Sequence, residues 1–156
     1  VENVDKQCIL VQKVNAPYSL EQVSIATKEC FVRSFKEQLP VFFQSGAIVP
    51  YSRIRQQRYT EASFAFLPID IMSNIDGTME LPEGQCVCTY HTGDYYSIGC
   101  SYERLLAYCS DNKLDIISDS FEFAVNDYLS TKDENEYITK IMFYVKKSSG
   151  DQSNPN

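Results

Sequence analysis

The stretch Phe121-Glu122-Phe123-Ala124-Val125-Asn126-Asp127, followed after a polar interval by Tyr137-Ile138-Thr139-Lys140-Ile141-Met142-Phe143-Tyr144-Val145, decides the fold. Each half alternates large apolar residues with something else at period two. Phe121, Phe123 and Val125 share one side; Glu122, Ala124 and Asn126 share the other. In the second half Thr139, Ile141, Phe143 and Val145 point one way, and Ile138, Lys140, Met142 and Tyr144 the opposite way. Alternation over this length predicts two half-buried antiparallel strands. A carboxylate and an ammonium then sit among aromatic and thioether groups, a composition suited to a small-molecule site.

Working outward, Cys8-Ile9-Leu10-Val11-Gln12-Lys13-Val14 reads as a first strand. Ser19 with Gln22 three residues on marks a helix start. Val23, Ala26, Cys30, Val32 or Arg33, and Phe35 carry a rough helical stripe, which Pro40 stops. Residues 47–58 suggest a second strand with an early Pro50, and residues 62–73 a third, in which Ser63, Ala65 and Leu67 alternate with Phe64 and Phe66. Asn74-Ile75-Asp76-Gly77 is turn chemistry. A second pass follows. Residues 85–91 form a strand, Thr92-Gly93-Asp94 a turn able to cap a helix, and Tyr96 or Ser97, Cys100, Arg104-Leu105 and Tyr108 recur at helical spacing. The two strands quoted first complete it, joined by the polar loop 128–136. The order is strand–helix–strand–strand, twice, without a repeat of sequence.

The fold class is therefore α+β: tandem β-α-β-β halves forming one antiparallel sheet, with helices on one face and a ligand cleft on the other. Glu122, Ala124, Lys140, Met142 and Tyr144 are expected on the open face. Tyr51, Phe64, Phe66 and Tyr90 come from strands that should neighbour the cleft. One domain is expected over residues 1–147, with a disordered tail over 148–156.

Composition narrows the function classes. With 21 acids, 14 bases and a net charge of −7, direct nucleic-acid binding is disfavoured. No apolar run approaches a membrane-spanning length. The polar start Val1-Glu2-Asn3-Val4-Asp5-Lys6 is no signal peptide, and the missing initial Met fits an excised or processed domain. The six cysteines are read as reduced thiols in a cytoplasmic setting. Cys86-x-Cys88 lacks the spacing of redox or zinc sites, and His91 is the only imidazole, so neither metal nor cofactor is expected. His91 itself is read as structural. No Ser-His-Asp or Cys-His set is visible.

Several segments resemble a known family. His91-Thr92-Gly93-Asp94-Tyr95-Tyr96, Ser101-Tyr102-Glu103-Arg104-Leu105-Leu106, Phe121-Glu122-Phe123-Ala124-Val125-Asn126-Asp127 and residues 136–145 are similar, in this order, to motifs of the bacterial effector-binding, or gyrase-inhibitor-like, domain. That module occurs alone and at the C-terminal end of MerR- and AraC-type, often multidrug-responsive, transcription regulators. The resemblance implies a cleft that takes amphipathic, often cationic, organic molecules, with Glu122 as its central acid. Two departures stand out. Ala124 replaces the family's usual Tyr, and Lys140 stands where an acid is common, which leaves the charge of the ligand open.

The resemblance implies a cytoplasmic ligand-sensing domain of a transcription regulator. It would touch DNA only through a separate part, and any homodimer would form through regions outside these residues. Two alternatives are a free-standing hydrolase of reactive electrophiles and a protein-interaction module like the gyrase-inhibiting relatives. Ligand-binding candidates are Glu122, Lys140, Met142, Tyr144, Tyr51, Phe64, Phe66, Tyr90 and Ala124.

Overall fold

The computed structural model describes residues 1–40, 42, 44–70, 76–127 and 130–149. Nine strands are present among them: β1 (Glu2–Val4), β2 (Gln7–Lys13), β3 (Gly46–Val49), β4 (Phe64–Ile69), β5 (Thr78–Leu81), β6 (Gly84–Thr92), β7 (Leu114–Ile116), β8 (Ser120–Asn126) and β9 (Ile138–Lys147). Three α-helices accompany them: α1 (Leu20–Lys36), α2 (Tyr51–Arg55) and α3 (Gly99–Asp111). The halves β2–α1–β3–β4 and β6–α3–β8–β9 meet where β3 pairs with β8, giving the antiparallel order β1-β6-β9-β8-β3-β4-β2-β5. The tandem α+β architecture read from the sequence is the one observed. The short strands β1, β5 and β7 add to it where no period-two run was long enough to read.

Local chemistry fixes the helix starts. The Ser19 hydroxyl accepts from the Gln22 amide at 3.3 Å, as its capping position requires. Asp94 caps the 3-10 turn Tyr95–Ser97 by accepting from the Ser97 amide at 3.0 Å. His91 is buried and ties β6 to α3: its Nδ1 lies 2.7 Å from Ser101 Oγ and its Nε2 2.9 Å from the Asp94 carbonyl. Residues 47–58 do not form one strand. Pro50 has no amide hydrogen to extend the ladder, and its fixed φ suits a helix start, so β3 ends at Val49 and α2 begins at Tyr51. Asp76 and Gly77 of the expected turn are a turn, with Gly77 at φ +86°, and Ser148 at the start of the expected tail bonds to the Lys113 carbonyl; residues 74, 75 and 150–156 lie outside the described residues.

Both long helices pack on one face of the sheet. Ile98, Tyr102, Leu105 and Cys109 meet Ile141, Phe143 and Val145 there, while Ala26 and Cys30 of α1 lie over β2 and β4. The helical stripes are therefore rotated from the sequence reading. Phe35 is 67% and Tyr96 84% exposed, and Ser34, Ser101 and Tyr102 face inward instead. The sheet curls, so the helix-free face closes on its own side chains. Phe66 packs edge-on against Phe123 at 5.3 Å, and Phe121 against Tyr144 at 6.0 Å.

Candidate functional site

Strand register decides which residues meet. Glu122 lies opposite Ala47 on one side and Ile141 on the other, while Lys140 lies opposite Phe123 and Tyr90. Because residues paired across a ladder share a face, Glu122 looks toward the helices and Lys140 away from them. The expectation that residues 122 and 140 share one hollow is corrected: a one-residue change of register moves a strand's whole set of side chains to the other face. Lys140 instead pairs with Glu2 of β1, Nζ to Oε1 at 2.8 Å, and the Cys88 thiol donates to the same oxygen at 3.1 Å.

The other expected residues divide the same way. Phe66, Met142 and Tyr144, with Phe64 beside them, belong to the helix-free core. Tyr90 is largely exposed and, with Lys140, Met142 and Phe123, borders a hollow of about 500 Å³ on that face. Tyr144 donates its hydroxyl to the Pro82 carbonyl at 2.7 Å. Tyr51 begins α2 and packs edge-on against Phe143 at 5.9 Å, outside the cavity described next. Of the sequence candidates, Tyr90, Lys140 and Met142 share that outer hollow, and, apart from them, Glu122 and Ala124 are brought together.

These two residues form part of the floor of a cavity of about 240 Å³ on the helical side. Leu20, Val23, Ser24 and Thr27 of α1 make one wall, and Tyr95 and Tyr137 another. Ser45, Gly46, Ala47, Asp127 and Thr139 complete the lining, which includes no Lys, Arg or His among the described residues. The Tyr95 and Tyr137 rings stand 6.1 Å apart and tilted, a surface on which a cation can rest. A narrow annex of about 20 Å³ continues past Glu122 beneath Tyr59 and Ile98, with room for about one water.

Glu122 is 8% exposed. Tyr102, fully buried on α3, donates its phenolic hydrogen to Glu122 Oε2. A phenol has a single hydrogen, so the Ser120 hydroxyl, 2.6 Å from the same phenolic oxygen, is the donor of that second bond. Burial pushes the Glu122 carboxyl up to about 7, and the Tyr102 hydrogen bond holds it back from rising further. Burial, and then the Glu122 charge, raise both Tyr102 and Tyr95, the latter to about 12. The site is thus an acid poised to change charge near neutrality, ringed by phenols. Larger hollows lie elsewhere, along the outer face of α1 and at the β5 edge, but neither includes a buried acid. Among the described residues no group of three or more His, Cys, Asp or Glu is arranged to hold a metal ion.

Sequence reasoning passed over Tyr102, Ser120, Thr139 and Asp127. Tyr102 had a legible signal: Ile98, Tyr102, Leu105 and Cys109 recur at helical spacing, and a phenol inside such a stripe needs a buried partner.

The six cysteines are free thiols. No helix among the described residues is long and apolar enough to cross a membrane.

Comparison with known proteins agrees with this architecture. No curated protein sequence matches the chain. The crystal structure of the EcmrR C-terminal domain superposes with a TM-score of 0.76 at 15% identity, over 94% of this chain and 95% of that one. EcmrR in its DNA complex, solved by cryo-EM, gives 0.75 at 15% identity over 94% of this chain, which spans 56% of that longer protein. A hydrolase from Listeria innocua gives 0.61 at 10% identity, over 93% of this chain and 90% of that one. At such identities the likeness is one of fold. The family described as GyrI-like small molecule binding domain matches residues 2–146, and the chain belongs to it.

Proposed function

We propose that the chain is the effector-binding part of a transcription regulator, and that its ligand is a compact organic amine held against Glu122 on the helical side of the sheet. The observation that carries this reading is Glu122 itself: a buried acid at a cavity floor whose lining offers it no positive partner. A ligand ammonium would remove the cost of an isolated buried charge. At an effective dielectric near 20, unit charges about 4 Å apart attract by roughly 4 kcal/mol. The cavity, at about 240 Å³, lies below the roughly 300–1,000 Å³ of drug-sized sites, which favours a small guest. The regulator role draws on the shared fold with the EcmrR domain. DNA contact would then belong to another part of the protein, since this chain is acidic.

The test is calorimetry and thermal shift with a panel of small alkyl and arylalkyl amines, charged near neutrality, and their neutral alcohol analogues. Amines should bind and alcohols should not, and Glu122→Gln should abolish the difference. Equal binding of both series, or binding indifferent to Glu122→Gln, would refute the assignment.

A second reading draws on the same acid. A carboxyl near pKa 7 is poised for general-base activation of water. Turnover of a reactive ester or epoxide, lost on Glu122→Gln, would favour a hydrolase.

A further inference from the structure

Helix α1 turns Ala26, Cys30 and Ser34 toward the sheet, where they are buried. Its outward side is not an ordinary solvated face. Ile25 is 39%, Val32 52% and Phe35 67% exposed there. At about 100° per residue, Glu21, Ile25, Lys28, Glu29, Val32 and Lys36 fall within one stripe about 100° wide, and all six are exposed. A hollow of about 430 Å³ runs along this side, lined only by α1 and its C-cap Glu37.

The charges of the stripe lack the usual partners on their own helix. A solvated helix face commonly sets opposite charges four residues apart. Here Glu21 has Ile25 at that distance, Lys28 has Ser24 and Val32, and Lys36 has Val32. Among the described residues, none of these three charges makes an ion pair within the chain. The stripe instead complements itself when reversed. Read forward it is acid, apolar, base, acid, apolar, base; laid against its own reverse, every acid meets a base and Ile25 meets Val32. An antiparallel copy of the helix, related by a two-fold axis between residues 28 and 29, sets Glu21 against Lys36, Lys28 against Glu29 and Ile25 against Val32, each twice. Such self-complementarity is what a two-fold interface requires. Gln12 holds Glu29 in place, its side-chain amide donating to Oε2 at 2.9 Å, and Oε1 remains to accept from the copy. The end charges also suit the helix dipole, but Lys28 and Glu29, at mid-helix, do not answer to it.

We propose that the outer face of α1 docks a second copy of this chain, in an antiparallel pair centred on Lys28 and Glu29. The other side of the helix walls the Glu122 cavity, and the pairing does not rest on the reading of that site. The contact is one helix long, roughly 22 Å between residues 21 and 36 at about 1.5 Å per residue. An interface of that size belongs with weak associations, with a dissociation constant on the order of 10–100 μM.

Sedimentation equilibrium tests it. The wild-type chain should form a reversible dimer in that range, weakened by added salt as exposed ion pairs are. Lys36→Glu sets two acids against each other at both ends of the pair, and Glu21→Lys sets two bases. Each variant alone should dimerise about tenfold more weakly, and a one-to-one mixture, which restores both end pairs, should return to within about threefold of wild type. Lys28→Glu should weaken the centre in the same way, and adding Glu29→Lys should restore it. A mixture no tighter than its separate components overturns the antiparallel register and the proposal with it. So does a dimer indifferent to Lys36→Glu and Lys28→Glu. A wild-type chain that stays monomeric up to about 1 mM also overturns the proposal and leaves this face to a different partner.

Discussion

Tyr102 of α3 donates its phenolic hydrogen to Glu122 of β8, and both groups are buried beneath the helical layer. This contact joins the second helix to the central strand pair and sets the chemistry of the cavity floor. Tyr102→Phe removes the one donor that opposes burial, so the Glu122 pKa should rise above its value of about 7. Ser120 loses its acceptor at the same time. Leaving buried polar groups unpaired costs about 1–3 kcal/mol, and chemical denaturation should report a loss in that range. A carboxyl-carbon NMR titration showing an unchanged or lowered Glu122 pKa would contradict the arrangement.

The raised pKa of Glu122 also makes stability depend on pH, with a definite sign. Its folded value of about 7 exceeds the ordinary carboxylate value of 4.5, so the folded chain binds the proton more tightly than the unfolded chain. This contribution is fully present below about pH 4.5 and is lost as pH rises through about 7. Its full size is on the order of 3 kcal/mol at 1.36 kcal/mol per pKa unit. Glu122→Gln should therefore flatten stability across this window and raise it above pH 7 relative to wild type. The midpoint of urea unfolding between pH 5 and 8 reads this directly, and parallel curves for the two proteins would show that Glu122 titrates normally.

The two β-α-β-β passes could be read because alternation and helix caps are local: Ser19, Asp94 and the runs through Phe121 and Phe143 each declare their element within a few residues. Pairing is not local. The faces of β9, and of β8 as far as Ala124, were sorted correctly, but beyond the extra residue at Val125 Asn126 lies opposite Ile138 and so leaves the face of Glu122, and which face meets which depends on a register that puts Glu122 opposite Ile141 and Lys140 opposite Tyr90. The bulge at Val125 is likewise invisible in the residues themselves, and it alone brings Asp127 to the cavity. Of the nine sequence candidates for the site, Glu122 and Ala124 share that cavity because they lie two apart on one strand, a relation sequence does fix. Phe64, Phe66, Tyr90, Lys140, Met142 and Tyr144 lie on the other face.

Gly46 holds the crossing of the two halves. A Cβ there would stand 2.1 Å from Phe66 Cζ and 2.6 Å from the Glu122 carbonyl oxygen. Phe66 is fully buried and braced by Phe123, so its ring has nowhere to turn. Gly46→Ala should destabilise the chain by about 1–3 kcal/mol, the usual cost of overpacking, measurable by thermal or urea unfolding. A neutral result would mean that β3 and β4 can separate at this point without penalty.

Lys140 should be silent toward ligand. Its ammonium faces Glu2 and Cys88 on the helix-free side, and its side chain is a quarter exposed. Partly exposed ion pairs contribute about 0–1 kcal/mol, so Lys140→Met should change stability by no more than this. Amine binding in the Glu122 cavity should be unaffected. A Lys140→Met protein that folds normally yet loses amine binding would place the ligand on the helix-free face.

If an ammonium pairs with Glu122, binding must be linked to protons. Ordinary aliphatic amines, like Lys with a pKa of about 10.4, stay charged throughout the acid-to-neutral range, so the ligand itself contributes no pH dependence there. The acid does, because below about pH 7 it is mostly protonated and must release its proton to form the pair. Affinity should therefore fall about tenfold for each pH unit below about 7 and level off above it. Calorimetry at pH 6 in two buffers of different ionisation enthalpy should count close to one proton released per amine bound. Glu122→Gln should erase both the slope and the proton release. An affinity independent of pH between 5 and 8 would mean that the bound nitrogen sits away from this carboxyl, whatever else in the cavity it touches.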